Sequence, residues 1–135
     1  MENRRNFIKS AFALTAGIFV ASVVPLAAME NVVAGIFAYS KRKPGKWEGK
    51  AKSHAPIVTV KGDTITIETK HGMSEKHYIA KHTLLSESGK VLGEKYFSPT
   101  DKKAISTFKL TTKHEELFAL SLCNLHDEWV TEVTL

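Results

Sequence analysis

IVTVKGDTITIET, residues 57–69, is the stretch of this sequence that decides its fold class. Both halves are rich in β-branched residues, and the second half alternates polar and apolar side chains as a half-buried strand does. Between them stands Lys61-Gly62-Asp63, a short polar turn that contains a glycine. Two such runs around such a turn are typical of a β-hairpin. The sequence therefore predicts antiparallel β-structure.

The same pattern continues to the C-terminus. A second pair of runs surrounds Ser88-Gly89, and three further runs are separated by polar turns. These runs are YIAKHTLLSE (78–87), KVLGEKYF (90–97), AISTFKL (104–110), LFALSL (117–122) and EWVTEVTL (128–135). Because many short strands with regular turn signals are typical of a sandwich, we predict an all-β domain over residues 52–135. Its expected architecture is an immunoglobulin-like antiparallel β-sandwich of about seven strands.

The N-terminal residues have a different character. The pair Arg4-Arg5 is followed by a run without charge from Ser10 to Ala28. This arrangement resembles a twin-arginine export signal, and an uncleaved membrane anchor is the alternative because about 20 apolar residues cross a bilayer. We therefore assign residues 1–38 to a helical signal peptide or membrane anchor and expect a periplasmic protein, released or anchored. Residues 39–51 are predicted to be a basic linker or N-terminal arm.

Composition limits the kind of site that the domain can hold. With 43% hydrophobic and 24% charged residues, the chain is typical of a globular protein. The sequence contains no Gly-rich phosphate loop, nucleophile elbow or paired zinc-ligand cysteines. Its single cysteine, Cys123, excludes an internal disulfide. This thiol is either a small buried hydrophobic group or a group with a chemical role.

The histidines favour a chemical role for the thiol. His54 stands at the entry to the first predicted strand, His71 and His77 bracket the loop HGMSEKH, and His126 follows Cys123 by three residues. Rigid sandwiches usually carry their sites on loops and strand ends. A thiolate and several imidazoles together form a donor set for a transition metal. These five residues are therefore candidate metal ligands.

The motifs around these residues resemble a known family. The chain reads HAP at residues 54–56, HGMSEKHYI at 71–79 and CNLH at 123–126. In this order and at these spacings they resemble the iron domain of the superoxide reductases, the neelaredoxin and desulfoferrodoxin group. The resemblance extends over roughly residues 50–129.

The resemblance implies a cofactor and an activity. It implies one iron per chain, held by His54, His71, His77 and His126 in a plane and by the Cys123 thiolate on the axis, with the sixth position open to solvent. The implied reaction is the one-electron reduction of superoxide to hydrogen peroxide. Five donors exceed the four that structural zinc takes, and an open position is a mark of catalysis. Backbone N–H groups near Asn124 and Leu125 are candidate hydrogen-bond donors to the sulfur.

The lead-in to His54 departs from the family pattern. Where the family usually has Glu-Lys, this chain has Lys52-Ser53. We consider Lys52 a candidate catalytic residue that attracts the superoxide anion, with Lys50, Lys76 and Lys81 as alternatives. The remaining histidines, His82 and His114, are interpreted as non-ligands.

A second class of function fits part of the pattern. A periplasmic electron-transfer protein with a cupredoxin-like copper site also combines a β-sandwich with one Cys and nearby His ligands, but such sites have a weak axial Met, and all three methionines precede Cys123. The expected partners are superoxide and an external electron-donor protein. No nucleic-acid partner is expected, a membrane partner only through an uncleaved N-terminal segment, and a second copy of the chain is a candidate.

Overall fold

The computed structural model describes residues 31–135. Arg4, Arg5 and the uncharged run predicted to be an export signal or anchor lie outside the described residues. Among the residues that the structure describes, no helix has both the length and the apolar character needed to span a bilayer.

The described chain is built from nine strands and two short helices. In chain order the elements are β1 (Val32–Val33), β2 (Ile36–Phe37), a 3-10 turn (Gly45–Trp47), α1 (Ala51–His54), β3 (Ile57–Lys61), β4 (Thr64–Thr69), β5 (Ile79–Ser86), β6 (Val91–Tyr96), β7 (Ala104–Lys109), β8 (Glu116–Cys123) and β9 (Asp127–Thr134). Strands β3 to β9 form two antiparallel sheets, one in the order β3-β4-β7 and one in the order β6-β5-β8-β9. The predicted sandwich of seven strands is therefore confirmed.

The stretch 57–69 forms the expected hairpin. Ile57 pairs with Glu68 at one end and Lys61 with Thr64 at the other. Gly62 in the turn has a φ of +60°, a conformation that glycine adopts without strain. In β4 the side chains alternate between half-buried and buried, as the sequence pattern predicts.

The main core lies between the two sheets. Ile65 and Ile67 of β4 pack against Leu84, Leu117 and Ala119 of the four-stranded sheet, and all five are fully buried. Each large aliphatic side chain buried in this way stabilises the fold by roughly 1.5–3 kcal/mol. The sandwich is thus a rigid support for the loops at its ends.

The β1–β2 hairpin covers the other face of the four-stranded sheet. Val33 and Ala38 are buried there in a second apolar cluster, whose other members are Leu85, Phe118, Leu120 and Val130. Residues 32–38 belong to the segment 1–38 that the sequence predicts to be a signal peptide or anchor. In the structure these residues pack as part of the sandwich domain.

The arm from Tyr39 onward runs back toward one end of the sandwich. Tyr39 pairs with β9, where its N–H donates to Glu128 O and its carbonyl accepts from Val130 N–H. The arm then forms the 3-10 turn and helix α1, which ends at His54. This local helix determines which side chains of the arm point toward His54.

Candidate metal centre

The five candidate ligands come from separate elements that meet at one end of the sandwich. His54 ends α1, while His71 and His77 stand in the loop between β4 and β5. Cys123 ends β8, and His126 stands in the tight turn before β9. Asp127 closes this turn with a φ of +62°, a left-handed conformation that Asp tolerates.

Four of these side chains present their donor atoms to one common space. His54, His77, Cys123 and His126 have ligand atoms that all lie within 4.8 Å of one another. His77 Nε2 is central, because it lies 2.9 Å from His126 Nδ1 and 3.2 Å from Cys123 Sγ. His54 Nε2 lies 3.1 Å from His126 Nδ1, and Cys123 Sγ lies 3.6 Å from the same atom.

His71 lies beside this group of four. Its Nε2 is 2.9 Å from His77 Nε2, and its ring centroid is 4.6 Å from that of His54. The imidazoles therefore follow one another in a ring, in the order His54, His126, His77, His71 and back to His54. Five sequence-predicted residues are thus neighbours, and four of them converge most closely.

Hydrogen bonding alone does not account for these short distances. His77 Nε2 approaches two ring nitrogens and one sulfur, and a ring nitrogen carries at most one proton to donate. Two nitrogens bound at a right angle to one metal, each at about 2.1 Å, would lie about 3.0 Å apart, and a sulfur would lie slightly farther. The observed separations match the spacing of adjacent ligands around one ion.

Three of the candidate ligand imidazoles, those of His54, His71 and His126, have pKa values lowered toward the neutral form that a metal requires. Burial first, and then the neighbouring histidines, lower the pKa of His54 to about 4, against the opposing effect of its hydrogen bond to the Lys50 carbonyl. Burial also lowers the pKa of His71, with His77 contributing, and the pKa of His126 lies below its ordinary value for the same first reason. A neutral ring keeps one lone pair free for coordination.

The orientation of His54 is fixed by its own helix. Its Nδ1 lies 3.0 Å from Lys50 O and 2.8 Å from Ser53 Oγ. A proton on Nδ1 donated to the Lys50 carbonyl leaves the lone pair on Nε2, the atom that faces the other ligands. Sequence reasoning did not assign this role to Ser53 or to the Lys50 carbonyl, because the helical turn was not predicted.

Asn124 braces the two loops that carry ligands. Its Nδ2–H donates to Lys76 O, and its Oδ1 accepts from Tyr78 N–H, both at 3.0 Å. The backbone N–H of Asn124 donates to Tyr78 O at 3.2 Å. This N–H is therefore used by backbone pairing that extends the β5–β8 ladder, and a hydrogen bond from the neighbouring Leu125 N–H to the Cys123 sulfur stays a prediction.

The arm makes a second contact with the site that the sequence did not reveal. The Trp47 ring stands edge-on to His126, with 4.7 Å between centroids, and its Nε1–H donates to Asp127 Oδ2 at 2.9 Å. Lys46 Nζ lies 3.2 Å from the same carboxylate oxygen. The Trp47 hydrogen bond, and then Lys46, hold the pKa of Asp127 below its ordinary value.

The buried Trp129 contacts two of the candidate ligands, His126 and His54. Its Nε1–H donates to His126 O at 2.9 Å, and its ring lies 5.8 Å from that of His54. It is fully buried. A fully buried indole that satisfies its one donor restricts both ligand loops.

The lysines near the site face different directions. The positive charge of Lys50 contributes to the lowered pKa of His126, after the effect of burial. Lys52 instead lines a groove of about 560 Å³ with Lys41 and Arg42. Lys81 lies 3.6 Å from Glu94 on the four-stranded sheet.

The two histidines interpreted as non-ligands lie elsewhere. His82 is buried between the sheets, with Nε2 2.8 Å from Thr69 Oγ1 and Nδ1 2.8 Å from Ser106 Oγ. His114 lies 3.0 Å from Glu87 at the surface. Neither residue belongs to the group that could hold an ion.

The sequence of this chain matches a known protein family and members of it. Residues 46–132 match the family model described as Desulfoferrodoxin. The chain is 32% identical over 111 residues to a superoxide reductase of Thermococcus kodakarensis, covering 69% of this chain and 94% of that protein. It is 31% identical, with the same coverage, to a superoxide reductase of Pyrococcus abyssi.

Solved structures show the same similarity. The superoxide reductase (1Fe-SOR) of Giardia intestinalis matches with a TM-score of 0.57 and 26% identity, covering 62% of this chain and 99% of that one. A single-residue variant of the superoxide reductase (neelaredoxin) of Ignicoccus hospitalis matches with a TM-score of 0.58 and 25% identity, covering 73% and 92%. The superoxide reductase of Treponema pallidum matches with a TM-score of 0.52 and 27% identity, covering 62% and 69%.

Proposed function

Because this chain belongs to the desulfoferrodoxin family, we propose that it is a superoxide reductase, an enzyme that reduces superoxide to hydrogen peroxide. The observation that carries the proposal is the convergence of His54, His77, Cys123 and His126 on one space, with His71 beside them. The curated relatives that support the activity are matched over nearly their whole length.

The resident cofactor in this proposal is one iron ion, and the chemistry of the donor set is what fits it. We assign His54, His71, His77, His126 and Cys123 as its ligands. Four imidazoles and one thiolate exceed the four donors of a structural zinc site. When bound, the iron supplies the electron that reduces superoxide, and two protons from solvent complete the product.

The side chains of this chain prepare the site for that chemistry. Burial keeps the Cys123 thiol away from bulk solvent, while the half-buried His126 and the exposed Leu125 leave the outer side of the centre accessible. Cys123 contributes the most electron-rich donor of the set, which makes it the catalytic thiolate. The Lys50 carbonyl and Asn124 hold the ligand loops in register, so that little reorganisation is needed at the moment of reaction.

The positive charge beside the site attracts the anionic substrate. We assign the main local contribution to Lys50, because it stands four residues before His54 on a helical turn and so shares its face. Lys52 remains the alternative, although it lines the groove on the other side of α1. Exposed cations near a site raise the rate at which small anions encounter it.

A cupredoxin-like copper site is less well supported. A blue-copper centre takes two His and one Cys in a trigonal arrangement, whereas four imidazoles are neighbours here. The relatives named superoxide reductase also favour an iron site.

The proposal is tested by metal analysis and by pulse radiolysis of the protein matured in its native host. We expect one iron per chain, a visible absorption band when oxidised, and a fast second-order reaction of the reduced form with superoxide. A stoichiometric metal other than iron, or no reaction of the iron-loaded protein with superoxide, would refute the proposal.

We further propose that the protein acts in the periplasm, released or anchored, after export by the twin-arginine route. The support is the pair Arg4-Arg5 before an uncharged run. Replacing both arginines by lysine should retain the precursor in the cytoplasm, as cell fractionation would detect. Unchanged export of that variant would exclude the twin-arginine route.

A further inference from the structure

The positive charge of this chain is concentrated in one segment. Residues 41–52, named here the basic arm, contain six Lys and Arg and one acidic residue, Glu48. This gives the basic arm a formal charge of +5, equal to the net charge of the whole chain. Four of its six cations are exposed. Charge of one sign that is concentrated on one segment favours the binding of oppositely charged partners and does not stabilise the fold.

The basic arm also borders the metal centre directly. It ends two residues before His54, and Trp47, near its middle, contacts the His126 ring. Trp47 is only half-buried, so one aromatic side chain reaches from the surface of the arm to a ligand. Lys46 and Trp47 are both fixed to Asp127, which immobilises this part of the arm. A partner seated on the arm would therefore lie close to the centre.

A groove along the arm supplies the apolar part of a docking surface. It measures about 560 Å³, and its lining combines the apolar residues Ala55, Pro56 and Ile57 with Lys41, Arg42, Lys52 and one acidic residue, Glu132. The Ile57 side chain is 45% exposed. Apolar side chains combined with polar and charged ones are the usual composition of a transient protein interface.

We propose that the basic arm and this groove dock an acidic one-electron carrier protein that reduces the metal centre. The inference rests on the proposed function, since a superoxide reductase must regain one electron in each turnover. In that step the carrier is oxidised by one electron and the centre is reduced by one electron, with no bond formed or broken. We expect Lys41 and Lys52 to bind a protein partner rather than to attract superoxide, because they line the groove and do not belong to the ligand cluster.

Zero-length carbodiimide cross-linking tests the docking without relying on turnover. The iron-loaded protein is mixed with an acidic flavodoxin, and lysines joined to flavodoxin carboxylates are identified by mass spectrometry. We expect the cross-links to fall on the basic arm, Lys41 among them. Cross-links centred on lysines outside residues 41–52 would overturn the proposal.

Stopped-flow kinetics gives the second measurement. Reduced flavodoxin should bleach the oxidised centre of the Lys41→Glu variant about tenfold more slowly than wild type at low ionic strength, and the difference should shrink as salt rises. Lys61→Glu is the matched control, because Lys61 is exposed at the end of β3 next to the β3–β4 turn, at the opposite end of β4 from His71. Equal slowing of both variants would assign the effect to the general field and overturn the docking site.

Two further measurements separate the causes of a negative result. Reduction by neutral hydroquinone should be equal in wild type, Lys41→Glu and Lys61→Glu, and a selective loss in Lys41→Glu would mean that the centre itself was damaged, against the proposal. Pulse radiolysis without any carrier reports the proposed function independently. Binding to anionic phospholipid vesicles that depends on Lys41, without cross-links to flavodoxin, would assign the basic arm to a membrane surface instead.

Discussion

His77 Nε2 and His126 Nδ1 lie 2.9 Å apart although 49 residues separate them in the sequence. His77 reaches this point from the loop before β5, and His126 reaches it from the turn between β8 and β9. Because β5 and β8 are adjacent strands of one sheet, their pairing fixes the distance between the two loops. The sandwich thus determines the metal centre through strand register.

The central position of His77 predicts unequal effects of ligand removal. His77→Ala should reduce the iron content more than His71→Ala, because His77 Nε2 is close to three other donors and His71 Nε2 to one. Loss of an outer-shell partner of a ligand already costs typically 10- to 100-fold in metal affinity, so loss of a ligand itself should cost at least as much. Metal analysis after dialysis against a weak chelator measures the difference, with His114→Ala as the control. Equal iron loss from all three variants would contradict the assignment.

The thiolate has a separate test. Cys123→Ser should lose the visible band of the oxidised centre and nearly all reaction with superoxide, because a hydroxyl is a much poorer electron donor than a thiolate. Pulse radiolysis and the absorption spectrum measure the two effects. Leu125→Ala, in the exposed part of the same turn, is the control and should retain both. Unchanged turnover of Cys123→Ser would remove the cysteine from the mechanism.

The strands, and the grouping of four of the candidate ligands, could be predicted from the sequence for a physical reason. Alternation in residues 57–69 reports which side chains face the core, and the spacing of Cys123 and His126 reports a tight turn. Both signals are local in the chain.

The contacts that the sequence did not predict are not local. Trp47 and Asp127 are 80 residues apart, and neither stands in a periodic pattern that would point to the other. The β1–β2 hairpin was not predicted because its apolar residues follow the uncharged run closely, with only Met29, Glu30 and Asn31 between them. The hydrogen bonds of His82 join three different strands and likewise leave no local signal.

Substitution of Lys50 and substitution of Lys52 should lower the rate of the reaction with superoxide to different extents. Lys50→Ala should lower the second-order rate constant several-fold at low ionic strength, because its charge is felt at His126. Lys52→Ala removes the same charge from the groove side of α1 and should change the rate much less. Pulse radiolysis of both variants at low and high salt decides between them. A larger effect of Lys52→Ala would return the local role to that residue.

The β1–β2 hairpin predicts where the folded domain begins. A chain that starts at Tyr39 should be less stable than one that starts at Asn31, since it loses Val33 and Ala38 from the cluster around Phe118. Loss of the Val33 side chain alone should cost on the order of 2 kcal/mol of unfolding free energy. Thermal unfolding of the two iron-loaded chains measures the difference. Equal melting temperatures would show that the hairpin adds nothing to the fold.

Because His82 is buried, we predict that the free energy of unfolding depends on pH independently of the metal centre. Burial first, and then the charge of Lys95, lower its pKa to about 4. Its ring is satisfied in the neutral form by Thr69 and Ser106, and Thr69 Oγ1 is itself 2.7 Å from Ser121 Oγ. The side chain therefore remains neutral in the folded protein under conditions where the unfolded chain takes up a proton.

The sign of the effect follows from that difference. Above the ordinary histidine pKa of about 6.5, neither state binds the proton and His82 adds no pH dependence. As the pH falls from there toward 4, the unfolded chain is protonated and the folded chain is not, so stability decreases, by a total on the order of 3 kcal/mol.

His82→Leu removes this titration while leaving the metal ligands in place. The variant also leaves the Thr69 and Ser106 hydroxyls without the ring, which lowers stability by an amount that does not change with pH. Denaturant unfolding of the iron-loaded wild type and His82→Leu at pH 7, 6 and 5 should therefore show the smaller loss in the variant. Titration of the ligand histidines contributes equally to both proteins and cancels in the comparison, so identical slopes would mean that His82 does not carry the effect.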